Sequence, residues 1–425
     1  MASFFIPLTG LEADSTALNT IANDLSNMNT TAFKGQAANF SDLFYQQVGS
    51  AGSGDPVQVG AGTQVASIST DFTQGSINST GSATDVALNG NGFFVVNNGG
   101  VSEYTRDGNF SLDSSGNLIS QNGLSVMGYP AVNGVVNTNS PLTRISIPVG
   151  QVEPPKASTT MNMTANLNAT SAAGATFPAQ VTVYDSLGVS HVATVTYTQT
   201  GTNTWSYSVA LPAGDFASGT STPVTGTMTF NANGNLTSVT PAGGAAQTVG
   251  TAAGDIAQIP LNFTGLADGA APLTMQWNLL GTNGTPTISQ VSASSAVSAT
   301  TQNGYASGQY QSFTIGSDGT VSATFSNGQQ LAVGQVALAN VTNLQGLRML
   351  GDGDYATTMA SGAASIGTSG TAGLGTLQDG ALEESNVNIS AEFSNLIIAQ
   401  RAFEANSKAV TTFDTVTQET INMIH

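Results

Sequence analysis

The sequence predicts a mainly β protein in which antiparallel β-domains carry N- and C-terminal helices that form a coiled-coil-like terminal domain. Three observations predict this class. Apolar residues recur every seven positions near both ends, glycine-containing turns punctuate the middle, and glycine-rich segments separate the ends from the middle. A seven-residue apolar period is typical of packed helices, whereas short alternating stretches between turns are typical of antiparallel strands.

The first predicted helix covers residues 8–28. Its leucines recur every seven positions, and a second apolar row lies three residues further on. The predicted assembly stripe of this helix consists of Leu8, Leu11, Leu18, Ile21, Leu25 and Met28. Asp14 interrupts the second row, and Asn27, Asn29 and Thr30 end the pattern.

The second predicted helix lies near the C-terminus and keeps the same period for longer. Its predicted assembly stripe consists of Ile389, Phe393, Leu396, Ala399, Phe403, Val410, Phe413, Ile421 and Ile424. Small residues such as Ala402 and Ala409 allow a partner helix to approach, because short side chains hold two backbones less far apart. We place the helix start near Asp379, Glu383 and Glu384, since the N-terminal end of a helix dipole favours negative charge.

The region between the helices is predicted to be β-structure. Turns such as Asp107-Gly108, Asn233-Gly234 and Asp318-Gly319 recur at short intervals between apolar stretches, as in antiparallel hairpins. The strictest alternation is that of Trp205, Tyr207, Val209 and Leu211. Such alternation places one side of a strand in a core.

Composition shifts divide the chain into four predicted parts. Residues 49–63 and 361–376 are rich in glycine, and the stretch from about 149 to 300 is the richest in Thr, Ala and Gly. The predicted parts are a terminal helical domain (1–30 with 377–425), a linker region (31–71 with 361–376), a β-domain (72–148 with 301–360) and an inserted β-domain (149–300). Glycine-rich stretches of this kind are typical of linkers.

The charge balance excludes two classes of partner. The chain carries 7 Lys and Arg residues against 25 Asp and Glu residues, a net charge of −18. Nucleic-acid binding requires basic side chains that neutralise phosphates, and an anionic membrane surface repels an acidic chain. No apolar run approaches the roughly 18 residues of a membrane helix. We therefore expect neither nucleic-acid binding nor membrane insertion.

The paucity of charge is itself informative. Only 8% of residues are charged, while 40% are hydrophobic. Between Lys156 and Arg348 the charged residues are Asp185, Asp215, Asp255, Asp268 and Asp318. A surface of Thr, Ser, Asn and Gln can pack against copies of itself without burying unpaired charge. The composition equally fits a secreted β-protein that does not self-associate, so it leaves both possibilities open.

We expect no enzymatic activity, no metal site and no cofactor. The chain has no Cys, and its two histidines, His191 and His425, accompany no nucleophile motif and are too few for a His-based metal cluster. His191 lies in a strand-like stretch and is predicted to be a surface or packing residue. The segment Met1–Leu11 lacks the basic start and cleavage site of a secretory signal, so any export is expected to leave the chain uncleaved.

Several separated segments carry a family resemblance. They are Leu8-Thr-Gly-Leu-Glu-Ala, Ile21-Ala-Asn-Asp-Leu-Ser-Asn, Thr31-Ala-Phe-Lys-Gly, Asn91-Gly-Phe-Phe-Val-Val, Gly380-Ala-Leu-Glu-Glu-Ser-Asn-Val-Asn and Gln400-Arg-Ala-Phe-Glu-Ala-Asn. In this order they resemble the shared segments of the bacterial flagellar rod and hook proteins, the axial proteins of the flagellum. The resemblance covers residues 1–148 and 301–425. Ala32 and Ala402 stand where the family often has Gly.

The resemblance implies a structural subunit of the flagellar hook. Such subunits polymerise into a hollow curved tube that acts as a universal joint and transmits motor torque to the filament. The inserted stretch at about 149–300 favours the hook member over a distal rod subunit, because rod members lack a large insert. The alternative from another functional class is a secreted β-rich adhesin. That alternative does not explain the seven-residue apolar rows at the two ends of the chain.

The resemblance also implies partners and a location. Besides copies of itself, the expected partners are the distal rod protein, the hook cap, the hook-length control protein, the hook–filament junction protein and the flagellar export apparatus. The expected location is extracellular, in the hook of the flagellar basal body. Phe40 and Phe44, in Phe40-Ser-Asp-Leu-Phe44, resemble a hydrophobic export motif of early substrates; two core-packing phenylalanines are the alternative.

Overall fold

The computed structural model describes residues 4–50, 52 and 56–423, and the chain divides into two compact units. Unit 1 contains the described residues of Met1–Val149, Ser312–Thr324 and Gln330–His425. Unit 2 contains Gly150–Gln311 and Phe325–Gln329. Unit 1 thus holds both ends of the chain, and unit 2 is inserted in it.

The α-helices of the described chain are α1 (Phe5–Ser26) and α2 (Ile389–Met423), and they pack together in unit 1. The mainly β class with two terminal helices is therefore confirmed. Helix α2 begins later than predicted, because Asn388 acts as its N-cap and accepts hydrogen bonds from the backbone N–H groups of Ser390 and Ala391. Within the described ranges, neither helix is apolar enough over a sufficient length to cross a bilayer.

The strands are numbered in chain order. Those before unit 2 are β1 (Gln36–Asp42), β2 (Gln46–Ser50), β3 (Pro56–Val59), β4 (Thr63–Thr70), β5 (Ile77–Ser79), β6 (Val86–Asn89), β7 (Phe93–Asn98), β8 (Val101–Thr105), β9 (Ser111–Leu112), β10 (Leu118–Ile119), β11 (Ser125–Val132), β12 (Val135–Val136) and β13 (Thr143–Arg144). The next are β14 (Val152–Glu153), β15 (Thr160–Asn168), β16 (Thr176–Tyr184), β17 (Ser190–Gly201), β18 (Thr204–Ala210), β19 (Val224–Phe230), β20 (Leu236–Pro241), β21 (Gln247–Thr248), β22 (Gln258–Phe263), β23 (Leu273–Asn278), β24 (Ile288–Val291), β25 (Ala296–Gln302) and β26 (Gly308–Ile315). The last are β27 (Thr320–Phe325), β28 (Gln330–Val336), β29 (Leu338–Asn340), β30 (Arg348–Gly351), β31 (Asp354–Ala356), β32 (Ser365–Gly367), β33 (Thr376–Asp379) and β34 (Ala381–Glu383).

Unit 1 is built around one antiparallel sheet. Strands β27, β28, β11, β7, β8, β31 and β30 lie side by side in that order. Aromatic rings fill one side of it, with Phe72, Phe93 and Tyr355 in mutual contact at centroid distances of 5.4–6.0 Å. Such aromatic clusters contribute much of the burial in a small core.

Two strand pairs anchor the base of α2. The residues predicted to start the helix, Asp379, Glu383 and Glu384, lie in or beside strands, and that placement of the helix start was wrong. Strand β33 pairs with β6, and β34 pairs with β5. The conformation of this segment is set by backbone pairing with strands that are distant in sequence. Its acidic composition does not reveal that pairing. The segments predicted as linkers also contain strands, including the β2–β3 hairpin and β32.

Unit 2 is a sandwich of two sheets around one core. One sheet has the order β16-β17-β18-β19-β20-β21, and the other has the order β22-β23-β15-β24 with β25 also paired to β15. Trp277 of the second sheet packs edge-on against Tyr207 of the first, at a centroid distance of 5.7 Å. The predicted alternation on β18 is confirmed, since Trp205, Tyr207, Val209 and Leu211 are all buried.

Candidate assembly surface: the terminal helix pair

The two helices run antiparallel and meet through their small side chains. The buried residues of α1 are Pro7, Gly10, Ala13, Thr20 and Asp24. On α2, Ala399 is buried and Ala402 is half-buried. Short side chains allow the two backbones to approach closely. The intrachain contact therefore uses the small-residue faces of the helices rather than their bulky ones.

A polar contact fixes how the helices align. The Asn406 amide donates a hydrogen bond to the Asp14 carboxylate at 2.8 Å. A Cβ atom at Gly10 would lie 2.6 Å from the same amide nitrogen, so this position has no room for a side chain. Asp14 thus interrupts the apolar row because it pairs with Asn406. Buried polar pairs between helices are known to set their register.

The structure distributes the predicted stripe of α1 between two environments. Leu11, Leu18, Ile21 and Leu25 are half-buried. Leu8 is 42% exposed, and Met28, which lies beyond the end of α1, is 38% exposed. The leucine row is therefore only partly covered within a single chain, since the small-residue row beside it faces α2.

The predicted stripe of α2 divides in the same way. Ala399 is buried, and Leu396, Val410 and Phe413 are half-buried. Exposed members are Ile389, Phe393, Phe403 and Ile421, and Ile424 lies outside the described residues. Three further apolar residues, Ile397, Ile398 and Val416, are also exposed. Sequence analysis missed Ile397 and Ile398 because they follow Leu396 directly and fall outside the seven-residue rows.

A groove of about 320 Å³ lies between the two helices and β1. Ile398 and Ala402 line it from α2, Ala17 from α1 and Phe40 from β1. Phe40 is half exposed and Phe44 is 93% exposed. Phe44 therefore contributes nothing to a core in the folded chain, and the export role of both phenylalanines stays a prediction.

A buried ion pair connects the segments next to the helices within unit 1. The Lys34 ammonium, eight residues after α1, donates to the Glu383 carboxylate of β34 at 2.6 Å and to the Thr73 carbonyl at 2.8 Å. Arg106 lies 3.9 Å from the other Glu383 oxygen. Burial lowers the pKa of Lys34, while its hydrogen bond to Glu383 acts in the opposite direction. Sequence analysis did not find this pair, because its members are 349 positions apart.

Asp24 joins the C-terminal end of α1 to β1. One carboxylate oxygen accepts a hydrogen bond from the Gln36 backbone N–H at 2.7 Å, and the other is buried without a hydrogen-bond partner. Burial raises the pKa of Asp24 to about 6; the Gln36 hydrogen bond opposes this rise and the nearby Glu392 adds to it. Near neutral pH this carboxylate is therefore a buried charge with incomplete solvation.

Replacing Asp24 by asparagine is expected to stabilise unit 1 at neutral pH. An acid whose pKa is higher in the folded state than in the unfolded state loses stabilisation as pH rises between the two values. From a pKa of about 6, Asp24 should cost about 2 kcal/mol at pH 7 relative to pH 4. Denaturant titrations followed by the circular dichroism of the helices would measure this cost. The Asp24→Asn chain should lose that part of the pH dependence, and parallel profiles for the two chains would contradict the assignment.

His191 is buried rather than at the surface. It lies in β17 and is only 4% exposed. Its ring nitrogens contact Asp215 at 2.8 Å and Asp185 at 3.0 Å. Burial acts to lower the pKa of His191, but its contacts with Asp185 and Asp215 together raise the pKa above the ordinary value. Sequence analysis missed this cluster because its three members lie on two loops and a strand that are separated along the chain.

Three family models match the chain. The flagellar basal body protein FlaE D2 domain matches residues 156–305. The flagellar hook protein FlgE/F/G D1 domain matches residues 87–166. The flagellar basal body rod FlgEFG protein C-terminal model matches residues 378–423. Together they cover most of unit 2, part of unit 1 and all of α2.

Curated relatives extend the match to the whole length. The flagellar hook protein FlgE of Escherichia coli is 36% identical, with 99% of this chain and 100% of the relative covered. The protein of the same name from Salmonella typhimurium is 35% identical over the same shares. That from Treponema pallidum is 33% identical, with 100% of this chain and 99% of the relative covered.

A solved structure has a similar fold. The crystal structure of the Helicobacter pylori flagellar hook protein FlgE2 matches with a TM-score of 0.54 and 15% sequence identity. The match covers 72% of this chain and 100% of that chain. At this identity the likeness concerns the fold alone.

Proposed function

This chain belongs to the flagellar hook protein family, and from that premise we propose that its terminal helices are the surfaces through which subunits polymerise into a hollow, curved tube. Full-length identity to hook proteins makes the chain a structural subunit of the hook, in the extracellular part of the flagellum. The polymer acts as a universal joint between motor and filament. This role requires neither catalysis nor a cofactor.

The observation that carries the proposal is the apolar surface left uncovered on α2. Ile398 is 67% exposed, Ile397 and Ile421 are each 53% exposed, and Phe393 is 52% exposed. Every residue from Asp414 to Met423 is exposed as well. Extended apolar surface of this kind marks interaction sites. Packing against helices of neighbouring subunits would bury it and stabilise the polymer.

The composition of unit 2 supports a role in bending. Its exposed strand positions are mostly Thr, Ser and Asn, with no Lys, Arg or Glu between Lys156 and Arg348. When two uncharged polar surfaces slide past each other, no ion pair has to be broken. Neighbouring copies of unit 2 can therefore change their contacts at small energetic cost as the tube bends and rotates.

The family membership also supports a specific set of partners. We infer contacts with the distal rod protein, the hook cap, the hook-length control protein and the hook–filament junction protein, all at the ends of the tube. We also infer passage through the flagellar export apparatus, with Phe40 and Phe44 as recognition residues. The exposure of Phe44 supports its availability to a partner.

Removing the exposed end of α2 tests the proposal. A chain that ends at Phe413 is expected to keep the stability of its monomer within about 0.5 kcal/mol, because exposed residues contribute little to folding. The same chain should fail to form tubes, because the contacts between helices of neighbouring subunits are lost. Sedimentation and electron microscopy of purified protein would measure polymerisation, and denaturant unfolding would measure stability.

Two outcomes separate the alternatives. Normal curved tubes from the shortened chain would remove the terminal helix from the polymer contacts and overturn the proposal. A secreted adhesin would lose no assembly on truncation and would keep its ligand. Straight tubes from the full chain would instead favour a rod-like subunit.

A further inference from the structure

Most of the carboxylates in the central stretch of unit 2 are gathered in one place. Between residues 157 and 311 the ionisable acids are Asp185, Asp215, Asp255 and Asp268, and the single histidine is His191. Three of these four carboxylates surround His191. Because charged residues are scarce in this unit, the convergence of three carboxylates on one histidine indicates a shared role.

Three separate segments bring the groups together. Asp185 lies in the turn between β16 and β17, and His191 lies on β17. Asp215 ends a 3₁₀ turn (Ala213–Asp215) whose backbone pairs with that of Ala267. Asp268 follows directly, and the Ala271 N–H donates to the Ser186 hydroxyl, which ties this loop to the turn of Asp185.

The two nearest carboxylates are oriented by the backbone. Asp185 Oδ1 accepts from the N–H groups of Leu187 and Val189, and Asp268 Oδ1 accepts from that of Ala270. The Oδ2 atoms of both groups face His191 Nε2, at 3.0 Å for Asp185 and 4.0 Å for Asp268. The three atoms all lie within 4.8 Å of one another. Tetrahedral ligands at about 2.1 Å from a zinc ion are about 3.4 Å apart.

We propose that His191 Nε2, Asp185 Oδ2 and Asp268 Oδ2 form a binding site for a divalent transition-metal cation of the zinc type. Asp215 contacts the opposite ring nitrogen, Nδ1, at 2.8 Å. A carboxylate in that position accepts a hydrogen bond from the free N–H of a metal-binding imidazole and so orients its ring. On binding, the cation loses water ligands, and any proton on Nε2 passes to solvent.

Charge and access both favour a dication. Three carboxylates face one imidazole. Even if His191 is protonated, the cluster has two more negative charges than positive ones. A dication would neutralise them. Asp185 is fully buried, whereas the Asp268 side chain is 25% exposed. The exposed side provides an entry path and room for water to complete the coordination. One nitrogen and two oxygens favour zinc over calcium, which prefers oxygen ligands alone.

The site would join two loops and a strand of unit 2. The bound cation would connect the β16–β17 turn, through Asp185, to the loop that carries Asp268. Unit 2 would then unfold at a higher temperature with the metal than without it, because a ligand that binds only the folded state stabilises it.

Zinc titration of the chelator-treated, full-length chain tests the proposal. We expect calorimetry to show one saturable equivalent of ZnCl₂ per chain. Asp268→Asn should abolish it, and this variant should fold normally because Asp268 is partly exposed. His191→Gln should abolish it too, and Asp215→Asn should weaken binding about 10–100-fold.

Two variants serve as matched controls. Asp255→Asn removes the fourth carboxylate of the stretch, and His425→Gln removes the other histidine; both should bind zinc as the unchanged chain does. Absence of saturable zinc binding in the unchanged chain would overturn the proposal. Undiminished binding by a folded Asp268→Asn chain, or loss of the equivalent in His425→Gln alone, would overturn it as well.

Discussion

Replacing Lys34 by methionine is expected to destabilise unit 1 by about 3 kcal/mol. Both side chains of the Lys34–Glu383 pair are at most 1% exposed, and removing one partner leaves the other as a buried, uncompensated charge. Such losses typically cost about 3–5 kcal/mol. The low end applies because Arg106 stays 3.9 Å from Glu383. Denaturant unfolding followed by the circular dichroism of the helices would measure the effect.

A double variant provides the control for this prediction. Lys34→Met combined with Glu383→Gln removes both charges. In the native chain the Gly75 N–H donates a hydrogen bond to the Glu383 carboxylate at 2.9 Å, and the glutamine side-chain oxygen can still accept it. The double variant should be more stable than Lys34→Met alone by about 1–3 kcal/mol. A single variant that loses less than about 1 kcal/mol would show that the pair does not hold the helix bases in place.

The periodic parts of the fold could be predicted from sequence. The alternation of Trp205, Tyr207 and Val209 is a local signal, and the sandwich core follows from it. The seven-residue rows likewise indicated both helices. The helix start at Ile389 could not be placed in this way, because it depends on the Asn388 cap and on pairing of β33 and β34 with strands about 300 positions earlier.

The assembly surface was only partly predictable. The rows identified bulky apolar residues that the structure leaves exposed, such as Phe393 and Ile421. They gave no sign that Gly10 and Ala13 form the intrachain face, since small residues score weakly in any apolar pattern. The pairing of Asp14 with Asn406 spans 392 positions. Only the three-dimensional contact shows that Asp14, which interrupts the apolar row of α1, pairs with a polar residue of α2.

Replacing Ile398 by glutamate is expected to abolish polymerisation while the monomer stays folded. Ile398 is 67% exposed, so a carboxylate there remains solvated in the single chain, and Arg401 one turn later can pair with it. In a polymer that covers this position, the same carboxylate loses its water at a cost of several kcal/mol. A cost of about 3 kcal/mol raises the critical concentration for assembly more than about 100-fold. Sedimentation over a range of protein concentrations would measure that concentration.

The conservative variant Ile398→Met separates apolar burial from shape. Methionine keeps a flexible apolar side chain of similar volume, so its critical concentration should stay within about tenfold of that of the unchanged chain. If Ile398→Glu and Ile398→Met assemble equally well, the position remains exposed in the tube. The polymer contacts of α2 would then have to use its other exposed apolar residues, Phe393, Ile397 and Ile421.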